Sequence, residues 1–143
     1  MDASGLRQKA ESGSVVAQAV LGLCYLDGLD VEIDYKEAFR FLSAAARQGA
    51  PRAIQGLARM YSEGLGIARN IAKAIPLYEA AAESGEFFSQ IELGRIYSRG
   101  AGVPTDPQLA LRWYSAAVAQ ESMVRDCEEL REAKNYLSLA GHS

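Results

Sequence analysis

The sequence predicts an all-α fold, a solenoid of three repeated helix-turn-helix units, and two kinds of recurrence lead to that prediction. One is a fixed period of 36 residues, kept by tyrosines and glycines alike: Tyr25, Tyr61, Tyr97, Gly28, Gly64 and Gly100. The other is apolar spacing of the kind found on one face of a helix, on both sides of each repeated glycine. A period of this length is typical of a solenoid, in which each repeat buries its apolar face against its neighbours.

The first half of each repeat is predicted to be a helix that stops at a glycine. It opens after Gly13, Gly49 or Gly85 and keeps an apolar helical pattern up to the repeated tyrosine. A glycine follows three residues later in every repeat. Because glycine just past a helix end can adopt the left-handed conformation that closes the last turn, these glycines are expected to terminate the first helices.

The second half of each repeat starts with a short polar side chain directly before another helical pattern. The three residues are Asp34, Asn70 and Asp106. Such a side chain can accept hydrogen bonds from the exposed amides of a first helical turn. Glu37 stands three residues after Asp34, which is the spacing of a capping box. These acids are therefore predicted to be helix caps, and a catalytic role for them is disfavoured.

Small residues recur where the two helices of a repeat are expected to cross. On the first helices they are Gly22, Ala58 and Gly94. Alanine pairs or triplets occupy matching places on the second helices, starting at Ala44, Ala80 and Ala116. Small side chains let neighbouring helices approach closely, so these positions are predicted to lie at helix contacts.

The repeats predict a single domain over residues 1–143. Residues 1–13 form an N-terminal helix or cap, because Lys9 to Gly13 matches the end of a second helix in the repeat. The repeats follow at 14–49, 50–85 and 86–121, and residues 122–143 form a C-terminal capping helix and tail. Within that tail, Ser122 to Ala140 is predicted to be one long helix whose apolar stripe includes Met123, Cys127, Leu130 and Leu137.

Composition excludes several classes of partner. The net charge of −3 provides no concentrated basic face, so nucleic acid is not an expected ligand. No stretch approaches the roughly 20 apolar residues that span a bilayer, and residues 1–9 show no apolar run of a secretion signal. The compartment stays open: cytoplasmic for the chain as given, periplasmic or secreted if a signal peptide has been removed.

Catalytic, cofactor and metal sites are not predicted. The two cysteines, Cys24 and Cys127, are too few and too far apart for a disulfide framework or a metal site, and are expected to fill apolar slots. The one histidine, His142, is next to last, so no Ser-His or Cys-His pair is predicted in an ordered core.

Residues 13–121, three full units, resemble the Sel1-like repeat, a relative of the tetratricopeptide repeat. The resemblance rests on the stretch LGRIYSRGAGV at 93–103, then Asp106, Ala110, Trp113–Tyr114 and Ala116–Ala117. It implies helix pairs stacked into a right-handed superhelix, with first helices on a concave face and second helices on a convex back. It also implies a protein-binding role, as in bacterial adaptors, sensors, secretion-linked factors and immunity proteins. A cysteine-rich branch is linked to penicillin binding or hydrolysis, but its cysteine pairing within each repeat is missing here.

A partner is expected to contact first-helix positions that the period does not fix. These candidate residues grade from apolar to charged along the chain: Val16, Val20, Leu23, Arg52, Arg59, Phe88, Glu92, Arg95 and Arg99. Arg59, Arg95 and Phe88 are predicted to anchor a protein or peptide segment, through charge-assisted contacts and an aromatic side chain.

Alternatives remain for the same residues. Phe87 or Phe88 could pack under the C-terminal helix, with the arginines merely solvated. Carbohydrate or cell-wall binding would instead use exposed rings as stacking platforms, at Trp113, Tyr114, Tyr78 and the repeated tyrosines Tyr25, Tyr61 and Tyr97. Self-association through an uncapped end also stays open.

Overall fold

The computed structural model describes residues 3–141, with side chains from Ser4 onward, so His142 lies outside the described residues. In that range every element of regular structure is a helix and no strand occurs, which confirms the all-α prediction. The helices are α1 (Ala3–Glu11), α2 (Val15–Asp27), α3 (Tyr35–Ala46), α4 (Pro51–Glu63), α5 (Ile71–Glu83), α6 (Phe87–Arg99), α7 (Pro107–Val118) and α8 (Glu128–Leu139). The first helices of the three repeats are α2, α4 and α6, and the second helices are α3, α5 and α7.

Residue contacts divide the chain into two compact units, Met1–Ala81 and Ala82–Ser143. The core of unit one includes Leu26, Leu42, Leu57 and Met60, and a second cluster joins α1 to α2 and α3 through Leu6, Leu21 and Phe41. The core of unit two joins α6, α7 and α8 through Phe87, Ile91, Tyr114, Leu130 and Leu137. The predicted single domain and its repeat boundaries stay predictions.

The first helices end as the glycine pattern predicts. Gly28, Gly64 and Gly100 all adopt the left-handed conformation, with φ of 72°, 69° and 71°. Each glycine donates its N–H to the carbonyl four residues earlier, at positions 24, 60 and 96. A side chain with a Cβ is strained in this conformation, which explains why glycine recurs at this position of the repeat.

The second helices start at the predicted caps. Asp34 accepts hydrogen bonds from the amides of residues 36 and 37, Asn70 from residue 73 and Asp106 from residue 109, all at 3.1 Å. The backbone N–H of each cap also donates to the carbonyl of the repeated tyrosine, at distances of 2.8–3.0 Å. Every loop is thus tied back to the end of the helix before it.

The prediction of a capping box at Asp34 is wrong, because Glu37 does not bond the Asp34 amide. The Glu37 carboxylate accepts a hydrogen bond from Arg7 at 2.6 Å, while the Asp34 N–H donates to the Tyr25 carbonyl at 3.0 Å. Arg7 also donates to the Tyr25 hydroxyl at 2.5 Å. Glu37 is therefore engaged with α1, because a half-buried guanidinium is a stronger donor for a carboxylate than a single amide.

Removing a cap gives a first testable result. We expect Asp34→Ala to destabilise the chain by about 1 kcal/mol, because two amides of α3 lose their side-chain acceptor. Urea unfolding followed by far-ultraviolet circular dichroism measures the change. Glu32→Ala removes an exposed carboxylate of the same loop and is the control. Equal destabilisation by the two variants would contradict the capping role.

Close approach of the paired helices is also as predicted. A Cβ built on Gly22 would lie 2.7 Å from Leu42 Cγ, and one built on Gly94 would lie 2.8 Å from ring atoms of Tyr114. Close packing also explains why alanine recurs on the second helices, where these residues are fully buried: Ala38, Ala45, Ala74, Ala81, Ala110 and Ala117. Helix α2 therefore packs so closely on α3, and α6 on α7, that positions 22 and 94 have no room for a side chain larger than hydrogen.

The long C-terminal helix predicted from Ser122 is wrong, because α8 begins only at Glu128. The amides of residues 123 and 124 both donate to the Gln120 carbonyl and close a turn. The Gln120 side-chain amide donates to the Gly85 carbonyl and to Gln90 Oε1, at 2.9 and 2.8 Å, and fixes this turn at the start of α6. Consequently Met123 is 84% exposed and Cys127 precedes the helix, while Leu130 and Leu137 are buried as predicted.

Candidate partner-binding surface

An apolar groove lies along α2 in unit one. Val16 is 74% exposed and Val20 is 41% exposed, although both are on a helix whose other face is buried. The groove has a volume of about 500 Å³. Its lining comes from α2, the following loop and the start of α4: Val15, Val16, Ala19, Val20, Leu23, Cys24, Asp27, Leu29, Ala50, Pro51 and Arg52. Four of the predicted site residues, Val16, Val20, Leu23 and Arg52, therefore line one groove.

The two ends of this groove carry opposite charges. Arg52 is exposed in the first turn of α4, where the groove begins. Asp27, the last residue of α2, lies at the other end and accepts a hydrogen bond from Arg59 at 2.9 Å. Arg59 also contacts Glu63 at 3.2 Å. Burial lowers the pKa of Arg59, but hydrogen bonds and charges from Asp27 and Glu63 outweigh it and leave that pKa raised.

In unit two, Glu132 of α8 forms ion pairs with Arg95 and Arg99, two cationic residues of the predicted site. Arg95 donates twice to the Glu132 carboxylate, at 2.8 and 2.9 Å, and once to Glu92 at 2.5 Å. The Tyr114 hydroxyl donates to the same carboxylate at 3.0 Å, and Arg99 lies 4.0 Å from it. Arg95, Arg99 and Tyr114 thus surround one carboxylate and join α6 and α7 to α8.

This arrangement shifts three pKa values. The hydrogen bond from Arg95 is the main reason that the pKa of Glu132 lies below its ordinary value, and the bond to Glu132 raises the pKa of Arg95 in turn. Burial, together with the hydrogen bond that its hydroxyl donates to Glu132, raises the pKa of Tyr114 to about 12. All three groups therefore keep the protonation states that hold the cluster together at neutral pH.

The two adjacent phenylalanines have different environments. Phe87 is 7% exposed and packs with Leu130 and Leu137 of α8, as the packing alternative predicted for one of the pair. Phe88 is 38% exposed and contacts the Phe87 ring edge-on, at 5.3 Å between ring centroids. Only Phe88 of this pair presents a substantial part of its ring at the surface.

Sequence reasoning misses Leu29 and Glu132. Leu29 is 56% exposed at the groove, but it belongs to a loop where no helical spacing identifies it. Glu132 lies 37 residues from Arg95, so no short-range rule connects them. The local pairs Arg59–Glu63 and Glu92–Arg95 do follow the i,i+4 and i,i+3 spacings at which side chains meet on a helix.

Three of the rings that carbohydrate stacking would use are buried, and the repeated tyrosines are partly buried. Trp113, Tyr114 and Tyr78 are 5%, 2% and 1% exposed. Stacking on a sugar requires an exposed ring face, so these residues serve packing. Residues 3–141 also contain no group of three or more acidic, cysteine or histidine side chains arranged to hold a metal ion. No helix in the same range has both the length and the apolar character that crossing a membrane requires.

Comparison with known proteins identifies the repeat. The family model of the Sel1 repeat matches residues 15–49, 51–86 and 88–122. The chain belongs to the Sel1 repeat family. Its fold class is accordingly an all-α solenoid of Sel1 repeats, as the sequence predicts. Sel1 repeats are in general interaction modules that bind proteins and have no catalytic activity of their own.

Solved structures of other Sel1 repeat proteins are similar to this chain. A Sel1 repeat protein from Oxalobacter formigenes is 37% identical over 92% of this chain and 96% of its own, with a TM-score of 0.73. The protective antigen c5321 of uropathogenic Escherichia coli, which displays an SLR fold, is 30% identical with a TM-score of 0.77; the match covers 99% of this chain but 34% of the antigen. Cysteine rich protein B of Helicobacter pylori, at 19% identity over 83% of this chain and 90% of its own with a TM-score of 0.67, shows the fold alone. No curated protein matches the chain in sequence.

Proposed function

We propose that this Sel1 repeat chain is a non-enzymatic module that binds another protein, or a peptide segment of one, through its first helices. The observation that carries the proposal is the exposure of Val16 and Val20 on α2, where they line an apolar groove. Apolar side chains clustered at a surface typically mark an interaction site, because burying them against a partner removes them from water.

Variation along the repeat supports the same face. The positions equivalent to Val16 are Arg52 and Phe88, and those equivalent to Leu23 are Arg59 and Arg95. Packing within a repeat requires similar residues at equivalent places, as at the tyrosines and glycines. Positions that change from apolar to charged are not fixed by this requirement, which makes them candidates for recognition.

The proposed site residues have two different roles. Val16, Val20, Leu23, Arg52 and Phe88 would contact the partner directly. Arg59, Glu92, Arg95 and Arg99 form ion pairs within the chain, so they would also shape the surface and position their neighbours. Reversing Arg59 or Arg95 would thus change stability together with binding, which makes the valines better probes.

The role that fits such a module is that of an adaptor, a regulator or an immunity-type protein in a bacterium. Similar Sel1 repeat proteins from Oxalobacter formigenes and Escherichia coli support a bacterial setting. Asp34 and Asp106 accept hydrogen bonds from helix amides as caps, which leaves them a structural role and supports a function without catalysis.

Affinity capture with a surface variant tests the proposal. We expect the wild-type chain to capture a partner from its host, and Val16→Glu/Val20→Glu to bind that partner at least 10-fold more weakly. Each buried valine contributes about 1.5 kcal/mol or more, which corresponds to roughly a factor of ten. Met123→Glu changes an apolar side chain of unit two that is even more exposed than the two valines, and this variant should bind normally. Unchanged affinity of the double variant would refute binding through α2.

A further inference from the structure

The groove in unit one has a shape and a charge pattern that specify more than a generic partner. Its apolar floor follows α2 from Val16 through Val20 to Leu23, at intervals of four and three residues, and ends at Asp27. On this basis, and resting on the proposed function, we infer that the groove takes one amphipathic α-helix of a partner protein. That helix carries apolar residues at i, i+4 and i+7, an acidic residue in its first turn and a basic residue in its last turn.

The spacing of the floor favours a helical partner. Side chains three and four residues apart form a ridge on a helix surface, and such a ridge packs into the groove between the ridges of another helix. From Val16 to Asp27 the ridge covers about 16 Å at 1.5 Å per residue, which is three helical turns. A partner segment of about 11 to 14 residues matches that length, and its apolar stripe has the same periodicity as the floor.

An extended segment lacks the partners that it needs here. Its backbone N–H and C=O groups would lose water on docking and would require hydrogen bonds from the groove. The polar side chains of the lining are limited to Asp27, Arg52 and the Cys24 thiol, and residues 3–141 contain no strand whose edge could pair with it. A helix satisfies its backbone internally, so an apolar floor is sufficient for it.

The charges set the direction of the bound helix. Val15, Pro51 and Arg52 lie at the starts of α2 and α4 and line the groove together, so Arg52 gives this end of the groove a positive charge. Asp27 marks the other end, and its carboxylate can accept further hydrogen bonds beside the one from Arg59. A helix with an acidic first turn and a basic last turn is also stabilised by its own dipole. It therefore runs in the same direction as α2.

The volume of the groove determines which part of the partner helix can enter it. At about 500 Å³ the groove is within the range of sites that enclose a few groups, and it is too small for a whole helix. Three apolar side chains of the partner fill the floor, and the charged side chains reach Arg52 and Asp27 from the rim.

Two displayed libraries test the inference. One randomises a single exposed helix face of 14 residues on a stable three-helix scaffold, and the other holds unconstrained 12-residue peptides. Both are selected on the wild-type chain and counter-selected on Val16→Glu/Val20→Glu. We expect groove-dependent binders from the helical library, with the apolar spacing and the charge order given above, and an affinity at least 10-fold weaker for the double variant.

A charge reversal adds a sharper readout. Arg52→Glu should weaken a selected helix about 3-fold, the range for an exposed ion pair, and replacing the first-turn acid of that helix by Arg should restore the affinity. Glutamate in the first turn of α4 suits the helix dipole, and far-ultraviolet circular dichroism checks that the fold is retained. Met123→Glu serves as the control and should leave binding unchanged.

The outcomes separate this inference from the proposed function. Binders that depend on Val16 and Val20 but are extended or contain proline would overturn the helical partner and leave the proposed function standing. Light scattering that shows a dimer abolished by the double variant, with no selected helix, would assign the groove to a second copy of the chain instead. Absence of any groove-dependent binder from both libraries, with no such dimer, would overturn the inference and the proposed site together.

Discussion

Adding one methyl group to Gly94 is expected to destabilise the chain by about 2 kcal/mol, although alanine favours helices. The new Cβ of Gly94→Ala would lie 2.8 Å from three atoms of the Tyr114 ring. That ring is 2% exposed, its hydroxyl is bonded to Glu132, and the Tyr136 ring packs on it at 4.7 Å. The ring has no room to withdraw, so overpacking costs about 3 kcal/mol, at the upper end of the usual range; subtracting the roughly 1 kcal/mol gained in helix propensity leaves a net loss of about 2 kcal/mol.

The repeat supplies the matched variants for this measurement. Gly22→Ala should also destabilise, because its Cβ would lie 2.7 Å from side-chain atoms of Leu42 and 3.0 Å from the Leu42 amide nitrogen. The equivalent residue of the middle repeat is Ala58, fully buried, and there Ala58→Gly should cost about 1 kcal/mol through lost propensity. Urea unfolding, monitored by dichroism and by Trp113 fluorescence for unit two, measures all three. Stabilisation by Gly94→Ala would show that the helices can separate without cost.

Interactions that recur with the period could be predicted from the sequence. The glycine stops, the caps Asp34, Asn70 and Asp106, and the small residues at helix crossings each combine a local rule with three copies of the same arrangement. A local rule alone is weaker. Glu37 has the spacing of a capping box, yet its carboxylate binds Arg7 from another helix, since tertiary contact overrides a single local preference.

The chain after the last repeat lies beyond what the period can predict. Residues 122–139 keep an apolar helical pattern, but the turn fixed by Gln120 delays α8 until Glu128. Its bonds reach Gly85 and Gln90, which are 35 and 30 residues away, and no sequence pattern links them. The exposed valines of the candidate surface were predictable as irregular positions, whereas the ion pairs of Arg59 and Arg95 needed the fold to bring distant carboxylates to them.

Replacing Glu132 by glutamine is expected to destabilise the chain by about 2 kcal/mol at pH 7. The substitution keeps the side-chain size but removes the negative charge of the carboxylate, which accepts two hydrogen bonds from Arg95 and one from Tyr114. Arg95 is then left with Glu92 alone on a partly buried surface. Hydrogen bonds to charged groups contribute about 1.5–3 kcal/mol, and leaving a half-buried cation with fewer partners adds to the loss.

The pH dependence of this difference identifies the carboxylate as its source. Because the pKa of Glu132 is lowered in the folded state, mainly by Arg95, its contribution is fully present above the ordinary value of 4.5 and is lost as the pH falls through the folded pKa. The stability difference between wild type and Glu132→Gln should therefore be constant from pH 7 to about 5.5 and shrink below 4.5. Urea unfolding at each pH, followed by Trp113 fluorescence, gives the difference directly.

The exposed ion pair between Lys134 of α8 and Glu121 is the control for the burial and geometry of the Glu132 cluster. Glu121→Gln removes the partner of Lys134, whose side chain is 44% exposed against 27% for Arg95. Exposed pairs contribute about 0.2–1 kcal/mol, so this variant should have a small effect that is weaker in salt. The Glu132 effect should persist in salt, because donors from two other helices, α6 and α7, approach a largely buried carboxylate. Two results would show that the cluster holds α8 by packing alone. One is an equal loss of stability in the two variants, and the other is a stability difference between wild type and Glu132→Gln that does not change between pH 7 and pH 4.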